Sequence, residues 1–207
     1  MDHSIAYWDR IAERYAGQPV ANEADYRTKL EVSQRYLKPE MRVLEFGCGT
    51  GSTALIHGPL VREYIATDPA PAMIDIAKAK LAQTALSNVH FQVATLEAFL
   101  ARDERFDAVL GLNVLHLMND RDHAIAQVYN LLEPGGVFIS STACLKQGIN
   151  PYRFIAPFTR LLGFPMVKVF SRTDLERSLE CAGFRIDYRW VPDGNRLVYF
   201  LVAIKSK

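Results

Sequence analysis

The chain predicts an α/β fold: a doubly wound, mostly parallel sheet of seven strands, with an antiparallel hairpin at its C-terminal end. Three observations predict it. From residue 41 to 143, short runs rich in Val, Ile, Leu and Phe alternate with helical patterns, the rhythm of a parallel sheet covered on both faces. A glycine-rich turn, GCGTG at 47–51, follows the first of these runs directly. Near the C-terminus, two strand-like runs flank Pro192-Asp193-Gly194-Asn195, a hairpin signal. The 207 residues fit one domain, and 49% hydrophobic residues suffice for a sizeable core.

The elements follow in order. Ser4 caps a helix through Tyr15, with Ile5, Trp8, Ile11, Ala12 and Tyr15 on one face. A second helix starts after Asn22 and presents Tyr26, Leu30, Ser33 and Leu37 along one stripe. MRVLEF (41–46) is a strand, and STALIH (52–57) a short helix stopped by Gly58-Pro59. REYIAT (62–67) is a strand, and 71–86 a long helix. VHFQVA (89–94) is a strand, followed by a helical turn over 95–101. FDAVLGL (106–112) is a strand; 123–132 is a helix stopped by Glu133-Pro134-Gly135-Gly136; GVFISSTA (136–143) is a strand. Residues 144–170 break the rhythm, being long, aromatic and punctuated by proline. Ser171 with Asp174 opens a capped helix that ends at Gly183. Strands over 184–191 and 196–204 close the chain. The expected organisation is therefore one domain over 1–207. It has an N-terminal helical cap (1–40), a ligand-binding core (41–143), a helical lid-like insertion (144–170), and a helix with the hairpin (171–207).

Composition narrows the function. Lys and Arg number 24 against 23 Asp and Glu, so no overall charge draws the chain to nucleic acid or to an anionic membrane. Cys48, Cys144 and Cys181 lie far apart with no C-x-x-C pair, which speaks against a zinc site or disulfide framework and suits a reducing, cytoplasmic setting. The first residues carry no apolar h-region, and no apolar run approaches the roughly 18 to 20 residues of a membrane span.

Gly47, Gly49 and Gly51 let backbone turn sharply and approach a ligand closely. A dinucleotide loop, G-x-G-x-x-G, would place its third small residue at 52, where Ser52 stands, whereas the spacing here is G-x-G-x-G. Glu45 puts a carboxylate beside the loop, where a phosphate would be repelled. Asp68 ends the next strand about 20 residues on, the place from which a carboxylate accepts ribose hydroxyls; its plainer role is to cap the following helix. The loop also lies after two helices, not at the start of the chain. Together these features ask for a nucleoside with free ribose hydroxyls and a cationic group in place of phosphate, which S-adenosylmethionine provides.

At this point the sequence resembles the class I S-adenosylmethionine-dependent methyltransferases, and within them the small bacterial enzymes grouped with ubiquinone and menaquinone biosynthesis. The resemblance spans most of the chain, through YWDRIAERYA, VLEFGCGTGS, YIATDPAPAMIDIAK, FDAVLGLNVLHLM, LLEPGG and FSRTDLERSLECAGF. It implies a Rossmann-like core and S-adenosylmethionine as cofactor. It also implies that Glu45 and the backbone of Gly47, Cys48, Gly49, Thr50 and Gly51 hold the methionine portion, with Tyr15 closing over the donor. Asp68 would take the ribose hydroxyls, and Pro69 and Met73 would flank the adenine. Asn113 would line the methionine end. Many relatives carry an acidic residue for the adenine amino group where this chain has Thr95; Leu96 would add its backbone N–H.

Methyl transfer from a sulfonium needs alignment and exclusion of water more than acid–base work. His116, just past a strand's C-terminal end, is the sequence-level candidate for a base should the acceptor carry a proton, with Tyr7 behind it; both also read as packed side chains. No cluster suits a metal: Asp120 and Asp122 read as a charged helix entry. Tyr152, Phe154, Phe158, Phe164 and Phe170, with Pro151, Pro157 and Pro165, read either as a mobile lid over a small apolar or aromatic acceptor or as aromatics packed on the sheet. Two other classes remain open: a non-catalytic S-adenosylmethionine-binding regulator, and a nicotinamide-dependent oxidoreductase, against which Glu45 and Ser52 argue.

Overall fold

A computed structural model describes residues 3–146 and 167–206. Seven strands form one sheet in the order β3-β2-β1-β4-β5-β7-β6. They are β1 (Arg42–Phe46), β2 (Glu63–Asp68), β3 (Val89–Val93), β4 (Phe106–Leu112), β5 (Leu132–Ala143), β6 (Phe184–Trp190) and β7 (Val198–Lys205). The first five are parallel, while β7 runs antiparallel to both β5 and β6. The helices, named along the described residues, are α1 (His3–Ala16), α2 (Glu23–Gln34), α3 (Ser52–His57), α4 (Pro71–Leu81), α5 (Leu96–Leu100), α6 (Arg121–Leu131) and α7 (Arg172–Cys181).

Side chains alternate across the sheet because successive strand residues point to opposite faces. Val43, Ala108, Leu110 and Ile139 pack with residues of α2, α3 and α4 on one face. Leu44, Val109 and Phe138 pack with residues of α5, α6 and α7 on the other. Burial on both faces explains why the strands read as nearly continuous apolar runs. A smaller cluster of Ala12, Ala70 and Met73, edged by Ile5 and Trp8, seats α1 on α4. Asp9 completes that contact, its Oδ1 accepting the Ala72 N–H at 2.7 Å.

Several local features depart from the expectations. Ser4 lies inside α1, which is already helical at His3, and so does not cap it. The helix from Pro71 stops at Leu81, not near 86, because the chain tightens there: the Gln83 and Thr84 N–H groups donate to the Lys80 and Leu81 carbonyls, and the Thr84 hydroxyl also bonds the Leu81 carbonyl. A single 3₁₀ turn over Gly58–Leu60 extends α3 past the expected stop. Finally, β5 begins at Leu132, with the Pro-Gly-Gly stretch bulging out of register before Val137 pairs with Ala108. The sheet order reverses between β1 and β4, and ligands of open α/β sheets bind beyond the strands' C-terminal ends at such a point. Among the described residues, no helix is long and apolar enough to cross a membrane.

Candidate functional site

Beyond the C-terminal end of β1 lies the loop from Gly47 to Gly51. Its three glycines all have positive φ, at 65°, 53° and 77°. They are glycines for different reasons. A Cβ on Gly47 would stand 2.6 Å from Val114, and one on Gly51 would stand 2.5 Å from Phe91 and 2.8 Å from Ala77, so these two are closed in by the fold. A Cβ on Gly49 would meet the Tyr15 ring at 3.9 Å, leaving that side of the loop accessible to a ligand. The loop is braced from behind: Cys48 N–H donates to the Thr67 carbonyl at 2.9 Å, and Lys80 Nζ donates to the Thr50 carbonyl (3.0 Å), Thr50 Oγ1 (2.9 Å) and Ser52 Oγ (3.2 Å). The Thr50 side chain is thus engaged on the far side of the loop.

Two carboxylates bracket this loop. Asp68, at the end of β2, accepts the Gly49 N–H on Oδ2 at 3.0 Å and the Ala70 N–H on Oδ1 at 2.9 Å. It therefore ties the loop to the entry of α4, whose N-cap position is Ala70. Burial raises its pKa, against the pull of those two N–H groups. Glu45 is 2% exposed and lies beneath the loop, on the same sheet face as Val43. Tyr64 donates to its Oε2 at 2.9 Å. Burial pushes the Glu45 carboxyl up to about 8, with the Tyr64 hydrogen bond pulling it down and Asp68 pushing it further up. The Cys48 thiol is held well above its ordinary range by burial, then by Glu45 and Asp68. Tyr15, 44% exposed, stacks edge-on against Trp8, and burial of its hydroxyl together with Asp68 raises its pKa. Tyr26 of α2 bonds Thr53 of α3 at 3.2 Å and feels both Glu45 and Tyr15. The loop, α1, α2 and β2 thus meet around the carboxyl groups of Glu45 and Asp68.

Asn113 follows β4 with φ 58°, a left-handed conformation that Asn tolerates better than most residues. Its N–H donates to the Ser141 carbonyl at 2.7 Å, and Ser141 Oγ donates to its Oδ1 at 3.3 Å. His116 faces β5 instead: its Nδ1 stands 3.0 Å from Thr142 Oγ1 and accepts the Ala143 N–H at 3.4 Å. An Nδ1 that accepts leaves the proton on Nε2, and burial lowers the His116 pKa to about 4. This is the packed reading of His116, whose ring is a poor proton acceptor near neutral pH.

The adenine-side residues divide. Pro69 is half-buried beside Asp68, and Thr95 is exposed at the entry to α5. Met73 is 2% exposed within the α1–α4 cluster, and the Leu96 side chain is in the core, leaving its backbone as its polar contribution. Glu97 brings an acidic group close to Thr95, held by the Thr95 hydroxyl and by Gln127 Nε2 at 2.9 Å. Tyr64, Tyr26, Lys80 and Glu97 were missed from sequence. Tyr64 had a usable signal: Glu45 pairs with Ala66, so Tyr64, two residues earlier on β2, shares Glu45's face. Among the described residues, no group of three His, Cys, Asp or Glu could hold a metal ion.

The family described as "Methyltransferase domain" matches residues 43–136, from β1 through the β5 bulge. The chain is 30% identical over 132 residues to the uncharacterized methyltransferase YcgJ of Bacillus subtilis, across 64% of this chain and 52% of that protein. It is 37% identical over 105 residues to a ubiquinone biosynthesis O-methyltransferase of Cereibacter sphaeroides, across 49% of this chain and 41% of that one. It thus spans about half the length, or less, of these curated relatives. Among solved structures, YcgJ superposes with a TM-score of 0.71 at 19% identity, covering 87% of this chain and 99% of that one. The [4+2]-cyclase SpnF superposes with a TM-score of 0.75 at 20% identity, covering 92% and 84%.

Proposed function

We propose that this chain, a class I S-adenosylmethionine-dependent methyltransferase by its matched core, transfers the donor's methyl group to a small apolar or aromatic acceptor. One observation carries the donor assignment: Asp68 and Glu45 bracket a loop whose open side, above Gly49, is walled by Tyr15. A phosphate would meet repulsion from Asp68 and would oppose ionisation of Glu45, whereas a sulfonium and an ammonium would be drawn to Asp68 and would favour the ionised form of Glu45. Each Asp68 oxygen accepts one N–H and keeps a further lone pair, so two ribose hydroxyls could be added without breaking the loop's anchor. The residues present therefore fit S-adenosylmethionine, which when bound supplies an already activated methyl group.

What remains for the chain is to bind, orient and exclude water. The loop backbone and Glu45 would hold the methionine portion, with Asn113 at that end and Tyr15 closing from α1. Pro69, Met73, Thr95 and Leu96 would surround the adenine. We place the acceptor under 144–170, working as a lid within a single functional domain. Phe154 and Phe158, the side chains expected to select it, lie outside the described residues, as do Tyr152, Phe164 and the three prolines. The ends of this segment support an excursion from the C-terminal end of β5: Leu145 and Phe170 are buried, and the Lys146 N–H donates to the Phe170 carbonyl at 3.1 Å.

The test is a panel of small phenols, quinols, amines and thiols, read as S-adenosylhomocysteine released, alongside calorimetry with S-adenosylhomocysteine and NAD. Tight binding of the former and release with at least one acceptor class are expected; tighter binding of NAD would end the reading. A second reading, binding without methyl transfer, is favoured by one observation: the fold is shared with a [4+2]-cyclase, so architecture alone does not fix the reaction. Binding with no turnover across the panel would move the assignment there.

A further inference from the structure

Glu45 and Tyr64 lie on neighbouring parallel strands and point to the same face of the sheet. Both are buried, with Tyr64 at 0% exposure, and the phenol donates to Glu45 Oε2 at 2.9 Å. We propose that Tyr64 is a positioning residue for the methyl donor, holding Glu45 as a buried acid whose proton leaves to solvent as the donor's positive charge arrives. This inference rests on the donor reading above.

The surroundings argue for it. Facing Glu45 are Tyr64 and Asp68 from β2, Cys48 from the loop and Tyr26 from α2, with Tyr15 of α1 beyond. None of these brings positive charge, and His57 of α3, whose ring centroid lies 6.4 Å from that of Tyr64, is kept neutral near neutral pH by burial. Lys80, behind the loop, has its ammonium committed to Thr50 and Ser52. An ionised Glu45 would therefore be buried beside Asp68 without a countercharge from these groups, a costly arrangement. Burial accordingly favours the neutral acid near neutral pH. In that acid the proton sits on Oε1, since Oε2 already accepts from Tyr64. A cationic ligand reverses the balance: Glu45 ionises, one proton goes to solvent, and the Tyr64 hydroxyl stabilises the new carboxylate. Removing that hydroxyl makes the proton harder to displace, so its effect on binding must depend on pH. A packing role alone would weaken binding equally at every pH.

The experiment is calorimetric titration of S-adenosylmethionine into the wild-type chain, Tyr64→Phe and Glu45→Gln. It is run from about pH 6 to about pH 9.5 in two buffers of different ionisation enthalpy. Glu45→Gln supplies the baseline for the ligand's own titration. At about pH 7 the wild type should release close to one proton more than Glu45→Gln. Tyr64→Phe should bind about tenfold more weakly there, the equivalent of a one-unit shift, with the gap closing to less than about twofold near pH 9.5. A Tyr64→Phe deficit that is constant across pH overturns the inference alone. So does a wild-type chain that binds but releases no more protons than Glu45→Gln, a comparison that decides even if Tyr64→Phe fails to fold. A wild-type chain that binds no S-adenosylmethionine at any pH overturns the donor reading itself.

Discussion

Asp68 does two jobs at once, and they can be separated. It anchors Gly49 and Ala70 through their N–H groups, and it retains lone pairs for a ligand. Asp68→Ala should weaken S-adenosylhomocysteine binding by about 1.5 to 3 kcal/mol, the range for hydrogen bonds to a charged group. An unchanged dissociation constant by calorimetry would reduce Asp68 to an anchor. The glycines allow a sharper comparison. At Gly49, φ 53° strains any side chain, so Gly49→Ala should cost roughly 1 to 2 kcal/mol of stability. Because its methyl group would enter the open side of the loop, S-adenosylhomocysteine affinity should also fall by at least about tenfold, since 1.4 kcal/mol of lost contact suffices. Gly51→Ala carries the same strain and drives its methyl into Phe91 and Ala77, adding roughly 1 to 3 kcal/mol of overpacking. Urea unfolding should therefore rank Gly51→Ala well below Gly49→Ala, and equal losses would mean that Gly49 is closed in too. At this scale the loop and Asp68 were legible as positions that follow strands, where the structure has them, whereas Asn113 was named only through the family resemblance. It did not reveal that Gly47 and Gly51 serve packing, or that Glu45 is sealed under the loop by Tyr64. Those facts depend on which face a strand turns inward and on what the next strand places there.

At the scale of elements, the parallel core was legible because strands buried on both faces leave long apolar runs, and Gly, Pro and Asn mark their ends. The end of α4 was not: Ala82, Gln83, Ala85 and Leu86 continue past Leu81 with good helical propensity, but the Thr84 hydroxyl and tight turn bonds end the helix there. Nor was the β5 bulge, since Pro-Gly-Gly reads as a stop from sequence, while pairing on both sides of it makes one strand. The docking of α1 also depends on a contact invisible in sequence, Asp9 on the Ala72 N–H. A carboxylate at the entry of α4 also meets the positive end of that helix. Asp9→Ala should loosen α1 by about 1 to 2 kcal/mol without unfolding the sheet. Since α1 carries Tyr15 over Gly49, S-adenosylhomocysteine affinity should fall with it. Hydrogen exchange should quicken in residues 3–16 while the amides of β1 and β4 stay protected. Equal quickening throughout would show that α1 and the sheet open as one unit.

For the whole molecule, buried titratable groups set how stability depends on pH. His57 is fully buried, and burial lowers its pKa to about 4, as it does for His116, from an ordinary 6.5. Groups whose folded pKa is depressed make the unfolded state bind more protons, so the stability they allow is complete above 6.5 and is lost as pH falls toward 4. Glu45 works in the opposite sense. Its folded pKa is raised from 4.5 to about 8, so the folded state holds the extra proton between those values, and stability falls as pH rises through that window. Below 6.5 two histidines oppose one glutamate, and stability climbs with pH. Above 6.5 the histidines are neutral in both states, Glu45 acts alone, and stability declines toward 8. Burial also raises Cys48 and Tyr64, which extends the decline into the alkaline range. Scanning calorimetry from about pH 5 to about pH 9 should therefore show a maximum Tm between about 6 and 7. Glu45→Gln should flatten the fall from the maximum to pH 8, because an amide has no proton to lose there. A cation-bearing ligand should flatten it too, since it favours the ionised carboxylate, so the stabilisation it confers should grow as pH rises. A Tm that climbs steadily through pH 8 in the wild-type chain would mean that Glu45 is ionised in the folded state at neutral pH, and the account of how this site meets positive charge would have to be reversed.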